Sequence, residues 1–156
     1  MTITELCNAL TNEQGYPFIN NGEWALHDLL LHLIENYGKA HVSIATFSIA
    51  EESVRSFYLA KENFLSFRLL LDYTVKKNKI DQLLFAQSVT DYIRIMPVHA
   101  KILLFENEKI NLCLVGSQNQ NNVIRLEAGY LTLRTKEIQY YKNEFDKYFS
   151  SAITIL

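Results

Sequence analysis

The stretch His99-Ala-Lys101-Ile-Leu-Leu-Phe-Glu106, HAKILLFE in one-letter code, places a histidine and a lysine at the head of an apolar run. The run is typical of a buried strand, and residues two apart in a strand lie on the same face. Burying an unpaired imidazole costs roughly 2–7 kcal/mol, and an ammonium group costs more. We therefore expect His99 and Lys101 to lie together at an open site or beside strong partners.

A second apolar run follows this stretch after a short turn. The spacing predicts an antiparallel hairpin of strands 98–106 and 109–116. Such a hairpin brings His99 opposite Gly116 or Ser117.

Small and polar residues follow the second strand of this hairpin. Gly116 allows a ligand to approach the backbone closely, and Ser117 and Asn119 add a hydroxyl and an amide. Together with His99 and Lys101 they form a set of side chains that suits an anion.

The remaining patterns predict an α/β architecture. Strand, helix and strand patterns over 40–49, 50–63 and 67–72 imply a parallel pair joined by a right-handed crossover. A second crossover helix is predicted over 74–89, and a terminal helix over 138–151. We predict one domain over residues 1–156, with an N-terminal extension at 1–20 and a core at 21–156 in which helices flank a mixed sheet.

The motif residues resemble the signature of the phospholipase D superfamily. The family pattern is HxKx4D followed by GSxN, and it matches His99-x-Lys101, an acid after four further residues, and Gly116-Ser117-x-Asn119. The signature occurs once in this chain. The resemblance implies a phospholipase D-like fold.

Two glutamates belong to the same resemblance. Glu127, in RLEAGYL, stands where members of this family often carry a carboxylate on the following strand. Glu106 replaces the aspartate of the signature and is one methylene longer. An unbroken strand of about 3.3 Å per residue would place it roughly 23 Å from His99, so we expect a structural role for Glu106 at the turn.

The resemblance implies metal-independent phosphodiester cleavage in two steps. His99 attacks phosphorus to form a phosphohistidine, which water then hydrolyses. Lys101, Ser117 and Asn119 hold the phosphoryl oxygens, and Glu127 anchors the second ring nitrogen of His99. Neither a metal nor another cofactor is implied.

A single signature leaves the departing alkoxide without a general acid. Single-signature members of the family resemble one another in pairing two subunits across one active site. The resemblance therefore implies a homodimer whose site is shared across the two-fold axis. Compact members resemble endonucleases, so we interpret the chain as a nuclease for DNA or RNA. The alternatives are a hydrolase of phospholipids or other phosphodiesters, and a catalytically weak nucleic-acid-binding module of the same fold.

Composition limits the cellular setting. The net charge is −2, which does not by itself indicate nucleic-acid binding. Cys7 and Cys113 stand far apart, without the spacing of a zinc site, and are interpreted as reduced, buried thiols. The first residues do not resemble a secretory signal and no apolar span approaches membrane length, so we expect a cytoplasmic protein without stable membrane association.

Other chemically active residues have structural interpretations. His27 and His32 are expected to be a surface or interface pair, and His41 to be structural. The lysines of VKKNK, 75–79, are interpreted as a solvated helix end, with a nucleic-acid contact as the alternative. The aromatic residues over 140–149 are interpreted as the packing face of the last helix and not as a base-stacking platform.

Overall fold

A computed structural model describes residues 1–10, 14–121 and 124–154 of the chain. It is a mixed, eight-stranded sheet with helices on both faces, which confirms the predicted fold class. In chain order the elements are α1 (Ile3–Asn8), β1 (Gly15–Asn21), α2 (Leu26–Tyr37), β2 (Ala40–Thr46), α3 (Glu51–Ala60), β3 (Phe64–Asp72), α4 (Tyr73–Asn78), α5 (Ile80–Ala86), β4 (Tyr92–Met96), β5 (Ile102–Glu106), β6 (Asn111–Gly116), β7 (Leu126–Thr132), α6 (Thr135–Ser151) and β8 (Ile153–Thr154).

The strands lie in the order β1-β7-β6-β5-β2-β3-β4-β8. Strands β2, β3 and β4 are parallel to one another, and the other neighbouring pairs are antiparallel. Helix α3 connects β2 to β3, and α4 and α5 connect β3 to β4. The crossover predicted as one helix over 74–89 is therefore two short helices, because Lys79 between them has a non-helical backbone (φ −134°, ψ 39°).

Alternation along the strands divides the core into two layers. On β5, Leu103 and Phe105 join the larger cluster, which includes Phe57 of α3, whereas Leu104 joins the smaller cluster with Phe145 of α6. This period of two is what a strand covered on both faces requires. The apolar run over 102–106 is therefore a central strand of the sheet.

The central hairpin is shorter than predicted, since its first strand begins at Ile102 and not at residue 98. Its turn is also longer: the Asn107 side-chain oxygen accepts the N–H groups of Lys109 and Ile110, and Glu106 pairs with Asn111. This side-chain capping shifts the register of the hairpin.

The shifted register changes which motif residue faces β6. The backbone N–H of Gly116 donates to the Lys101 carbonyl over 3.2 Å. Lys101, and not His99, therefore lies opposite Gly116, and His99 belongs to the loop over 97–101 that precedes β5. Pro97 begins this loop, as its missing N–H favours.

Residues of the predicted N-terminal extension belong to the sheet. Strand β1 pairs along its whole length with β7, and Leu6 of α1 is fully buried. Phe18 and Asn20 point inward on β1 while their neighbours face out, which is the alternation of a half-buried edge strand. A boundary at residue 20 therefore falls inside a strand.

His27 is buried rather than a surface residue, which corrects the expectation for this histidine. Its Nδ1 lies 2.8 Å from the hydroxyl of Ser53, and 7% of the residue is exposed. The pairing holds α2 against α3 and satisfies a polar ring that would otherwise be costly to bury.

Within the described residues, no helix is long and apolar enough to cross a membrane.

Candidate active site

The motif residues meet at one end of the sheet. The parallel strands β2, β3 and β4 end there, as does β6, whereas β5 and β7 begin there. His99 and Lys101 precede β5, Ser117 and Asn119 follow β6, and Glu127 is the second residue of β7. The directions of β5, β6 and β7 thus place these five residues, from three segments of the chain, at the same edge of the sheet.

His99 and Lys101 are in contact. Lys101 Nζ lies 3.0 Å from His99 Nδ1 and 3.5 Å from Nε2. His99 is exposed, whereas Lys101 is only 8% exposed. The sequence raised the question of how a histidine and a lysine could be accommodated at the head of an apolar run. The structure shows that the Lys101 ammonium is buried beside the exposed His99 ring, so each polar group has a partner at the open edge of the sheet.

Phe47, which follows β2, is a site residue that the sequence did not reveal. Its ring centroid lies 5.3 Å from that of His99 at an interplanar angle of 48°, and 5.9 Å from Lys101 Nζ. Phe47 therefore restrains the imidazole and contributes an aromatic face to the ammonium. An apolar residue at a strand end has no local signal for such a role.

Two features of its surroundings change the pKa of Lys101 in opposite directions. Burial lowers the pKa of its ammonium below the ordinary lysine value, and the nearby Glu127 carboxylate partly opposes this by raising it. Glu127 thus acts electrostatically on Lys101.

The hydrogen-bond partner of Glu127 is Ser117, not His99 as predicted. The Ser117 hydroxyl donates to Glu127 Oε2 and accepts from the backbone N–H of Ala128. Arg125 Nε also lies 4.0 Å from the Glu127 carboxylate. The reason is strand pairing: β7 is the direct neighbour of β6, so Glu127 meets the residue that follows β6 before it meets the loop over 97–101.

The side chain of Asn119 is held by the last residue of β2. Its Oδ1 lies 3.3 Å from the Thr46 hydroxyl, so the Nδ2 donor points away from Thr46. The flanking glutamines hold the loop: Gln118 donates to the Trp24 carbonyl, and the Gln120 carbonyl accepts from Ala50. Thr46 therefore binds the oxygen of the Asn119 amide, and the Nδ2 group of that amide carries two further donors.

Asp72, at the end of β3, is a second residue that the sequence did not reveal. It is 4% exposed, and its carboxylate accepts the backbone N–H of Val98 and both the N–H and hydroxyl of Thr74. Burial raises its pKa, but these hydrogen bonds and the nearby His99 charge outweigh that effect and leave the pKa below the ordinary aspartate value. Asp72 thus fixes the backbone next to His99.

Gly116 has a packing role. A Cβ atom built there would lie 2.6 Å from the Ala128 carbonyl oxygen and 2.9 Å from the Cα of Gly129. The glycine of the motif therefore lets β6 and β7 approach each other where Ser117 and Glu127 must meet. This differs from the predicted role of admitting a ligand to the backbone.

Glu106 lies at the opposite end of β5 from His99. Its carboxylate is 3.2 Å from Lys142 Nζ of α6. This position is apart from the reacting groups, as the distance along the strand predicted.

Among the residues that the structure describes, no cluster of three or more His, Cys, Asp or Glu could hold a metal ion.

Neither a protein-family model nor a curated protein matches the chain. Solved structures do. Nuc from Salmonella typhimurium, a phospholipase D family member, aligns with a TM-score of 0.71 and 13% identity over 91% of this chain and 99% of its own. NucT from Helicobacter pylori aligns with a TM-score of 0.70 and 17% identity over the same shares.

The chain has the phospholipase D fold. TrmBL2, an archaeal chromatin protein whose structure shows a mode of DNA binding, is also similar, with a TM-score of 0.60 and 12% identity over 98% of this chain and 58% of its own. Identities this low establish a shared fold. The resemblance indicated by the signature is therefore confirmed as a phospholipase D fold.

Proposed function

We propose that the protein is a metal-independent phosphodiesterase that hydrolyses nucleic acid through a phosphohistidine. The observation that carries the proposal is the contact of an exposed His99 with a buried Lys101 at the end of a phospholipase D-like sheet. An accessible nucleophile next to a desolvated cation is what attack on an anionic phosphorus requires.

In the first step an unprotonated ring nitrogen of His99 bonds to phosphorus. The bond from phosphorus to the leaving oxygen breaks, and that oxygen takes a proton from a general acid. Lys101 Nζ and Asn119 Nδ2 donate to the phosphoryl oxygens, where negative charge accumulates. Water then gives a proton to the conjugate base of that general acid and attacks phosphorus, and the nitrogen–phosphorus bond breaks, which restores the imidazole and the acid.

Glu127 supports the site through its neighbours. Its carboxylate fixes the Ser117 hydroxyl and favours the charged form of Lys101. Ser117 therefore positions the strand ends around the phosphate, with its own hydroxyl proton directed at Glu127.

The general acid is His99 of a second copy of the chain. One signature supplies one imidazole, so a complete site needs two chains related by a two-fold axis. Such a dimer is closed, and each His99 serves as nucleophile or acid at the shared site.

Nucleic acid is the proposed substrate because exposed lysines lie on one side of the site, next to Phe47. Lys79 lines the same small pocket as Phe47, next to exposed lysines at 76 and 77 of α4. TrmBL2, of which this chain matches 58%, is a chromatin protein whose structure shows a mode of DNA binding, and this supports nucleic acid as the substrate class. We also propose a single domain over residues 1–156 and a cytoplasmic location, which suits the free Cys7 and Cys113.

The test is hydrolysis of labelled DNA and RNA in the presence of EDTA. Wild type is expected to cut, and His99→Ala to lose at least about a thousandfold in rate because the nucleophile is gone. His41→Ala is the matched control, since His41 is exposed, hydrogen-bonds to the Ser66 hydroxyl, and lies near the start of β2, at the opposite end of the sheet from the site.

Quenching in alkaline detergent during turnover is expected to trap the phosphate label on wild type and not on His99→Ala, because the nitrogen–phosphorus bond of a phosphohistidine is stable in alkali. Hydrolysis of phosphatidylcholine vesicles without hydrolysis of nucleic acid would replace the nuclease by a lipid diesterase. Inertness towards every diester, including an activated nitrophenyl diester, would leave a binding module.

A further inference from the structure

A groove runs between helix α6 and the loop that carries His99. Its volume is about 380 Å³, which is within the range of small-ligand sites. Its walls are Met96, Pro97 and Ile102 on the strand side and Tyr140, Tyr141 and Tyr148 on the helix side. We call it the tyrosine groove.

Tyr140 and Tyr148 of this groove are not part of the packing face predicted for α6, whereas Tyr141 is partly buried against the smaller core cluster. Phe145 and Phe149 are buried as predicted and stack on each other, but Tyr140 is 60% exposed and Tyr148 is 43% exposed. The ring of Tyr141 meets that of Tyr140 edge-on, with centroids 5.4 Å apart. An exposed aromatic ring that packs against a neighbouring ring is suited to stacking against a flat ligand.

The groove is continuous with the candidate active site because His99 borders both. Polar groups accompany the aromatic wall: Glu144 lines the groove, and Lys147 Nζ lies 5.2 Å from the ring centroid of Tyr148. Proteins commonly hold the bases of single-stranded nucleic acid by stacking them on aromatic rings near a cation. The tyrosine groove has this combination, and it adjoins the proposed diester-binding site at His99.

We propose that the tyrosine groove binds one unpaired nucleobase of the strand whose phosphate lies at His99. This rests on the proposed function and adds its substrate class, single-stranded nucleic acid. A base stacks on Tyr140 and Tyr148, and the Glu144 carboxylate accepts from its exocyclic amino group. A base within a duplex is covered on both faces, so it cannot enter without first leaving the stack.

The experiment compares three labelled DNA substrates in EDTA: a single strand, the same strand in a duplex, and the single strand with one abasic site. Wild type is expected to cut the single strand at least about tenfold faster than the duplex, and to lose about tenfold at the phosphate beside the abasic site. In Tyr140→Ala combined with Tyr148→Ala, KM rises with little change in kcat, and the abasic site no longer matters because the stacking wall is gone.

Controls separate stacking from folding. The double variant with phenylalanine at both positions keeps the ring and is expected to behave as wild type. Tyr92→Ala removes another 60% exposed tyrosine, on β4 and outside the groove lining, and leaves all three rates unchanged. An abasic effect that persists in the alanine double variant would overturn the proposal.

Binding keeps this proposal distinct from the proposed function. Fluorescence anisotropy with a labelled phosphorothioate single strand measures the affinity of wild type and of the variants for the strand. It therefore tests binding in the groove independently of hydrolysis. Weaker binding of the alanine variants supports the groove even where wild type cuts nothing, a result that would overturn the nuclease alone. Equal binding by all variants, or tyrosine-dependent binding of phosphatidylcholine vesicles in place of DNA, overturns the groove as a base site.

Discussion

The Lys101 ammonium is almost fully buried, and its charge depends on the residues around it. Burial lowers its pKa, and the Glu127 carboxylate raises it in part. A lysine that binds phosphate must carry its proton, so activity should fall at alkaline pH as Lys101 deprotonates.

Glu127→Gln therefore shifts the pH dependence of the enzyme. Without the carboxylate charge the pKa of Lys101 falls further, and the alkaline limb of kcat/KM moves to lower pH. The measurement is a pH–rate profile with a small diester. Glu23→Gln is the control because this glutamate pairs with the chain's amino group at Met1. A profile that only drops in height would contradict the electrostatic role.

Asp72 is predicted to stabilise the fold in a pH-dependent way. Asp72→Ala leaves the Val98 N–H and the Thr74 donors without their acceptor, at a cost of about 1–3 kcal/mol near pH 7. The lowered pKa means that the charged form contributes fully above the ordinary aspartate pKa of about 3.9, and that this contribution disappears as the pH falls through the folded-state pKa.

Urea unfolding of wild type and Asp72→Asn at a series of pH values measures this effect. The difference in free energy of unfolding should be largest near neutrality and shrink in acid. Asp91→Asn, at an exposed aspartate, serves as the control. A difference that stays constant down to strongly acidic pH would show that the charge of Asp72 is irrelevant.

At the scale of elements, the pairing of β6 with β7 builds half of the site. Gly116 faces Gly129, and this close approach lets Ser117 bond to Glu127 and to the backbone at residue 128. The strand pair is thus both scaffold and part of the site.

Gly116→Ala tests this arrangement. The added methyl group has no space, so we expect destabilisation of about 1–3 kcal/mol together with a loss of kcat, because β7 must move. Gly38→Ala is the matched control: its φ of 85° also penalises alanine, but it lies at the far end of β2 from the site. Thermal unfolding and diester hydrolysis together decide, and a stable, fully active Gly116→Ala would contradict the packing role.

At the scale of the whole molecule, the proposed function requires two chains. Light scattering at micromolar concentration should give the mass of a dimer. Random dimers formed from equal amounts of wild type and His99→Ala should retain about one quarter of wild-type activity if each site needs both imidazoles. Retention of one half, or a persistent monomer, would show that each chain works alone.

The sequence by itself determined the class of fold, and it predicted the residues that are proposed to carry the chemistry. HxK and GSxN are short motifs next to apolar runs, so local periodicity alone places His99, Lys101, Ser117 and Asn119 at strand ends. The remote position of Glu106 followed in the same way from the rise per residue along a strand.

Tertiary structure alone decided which side chains surround those residues. Phe47 and Asp72 reach the loop of His99 from other strands, Glu127 meets Ser117 first, and the tyrosines of α6 face His99. Strand 15–21 likewise joins the sheet by pairing with β7, a strand more than 100 residues later in the chain. The physical reason is that these contacts arise from strand order and from burial shared among distant segments, whereas local sequence encodes only the direction and the faces of each element.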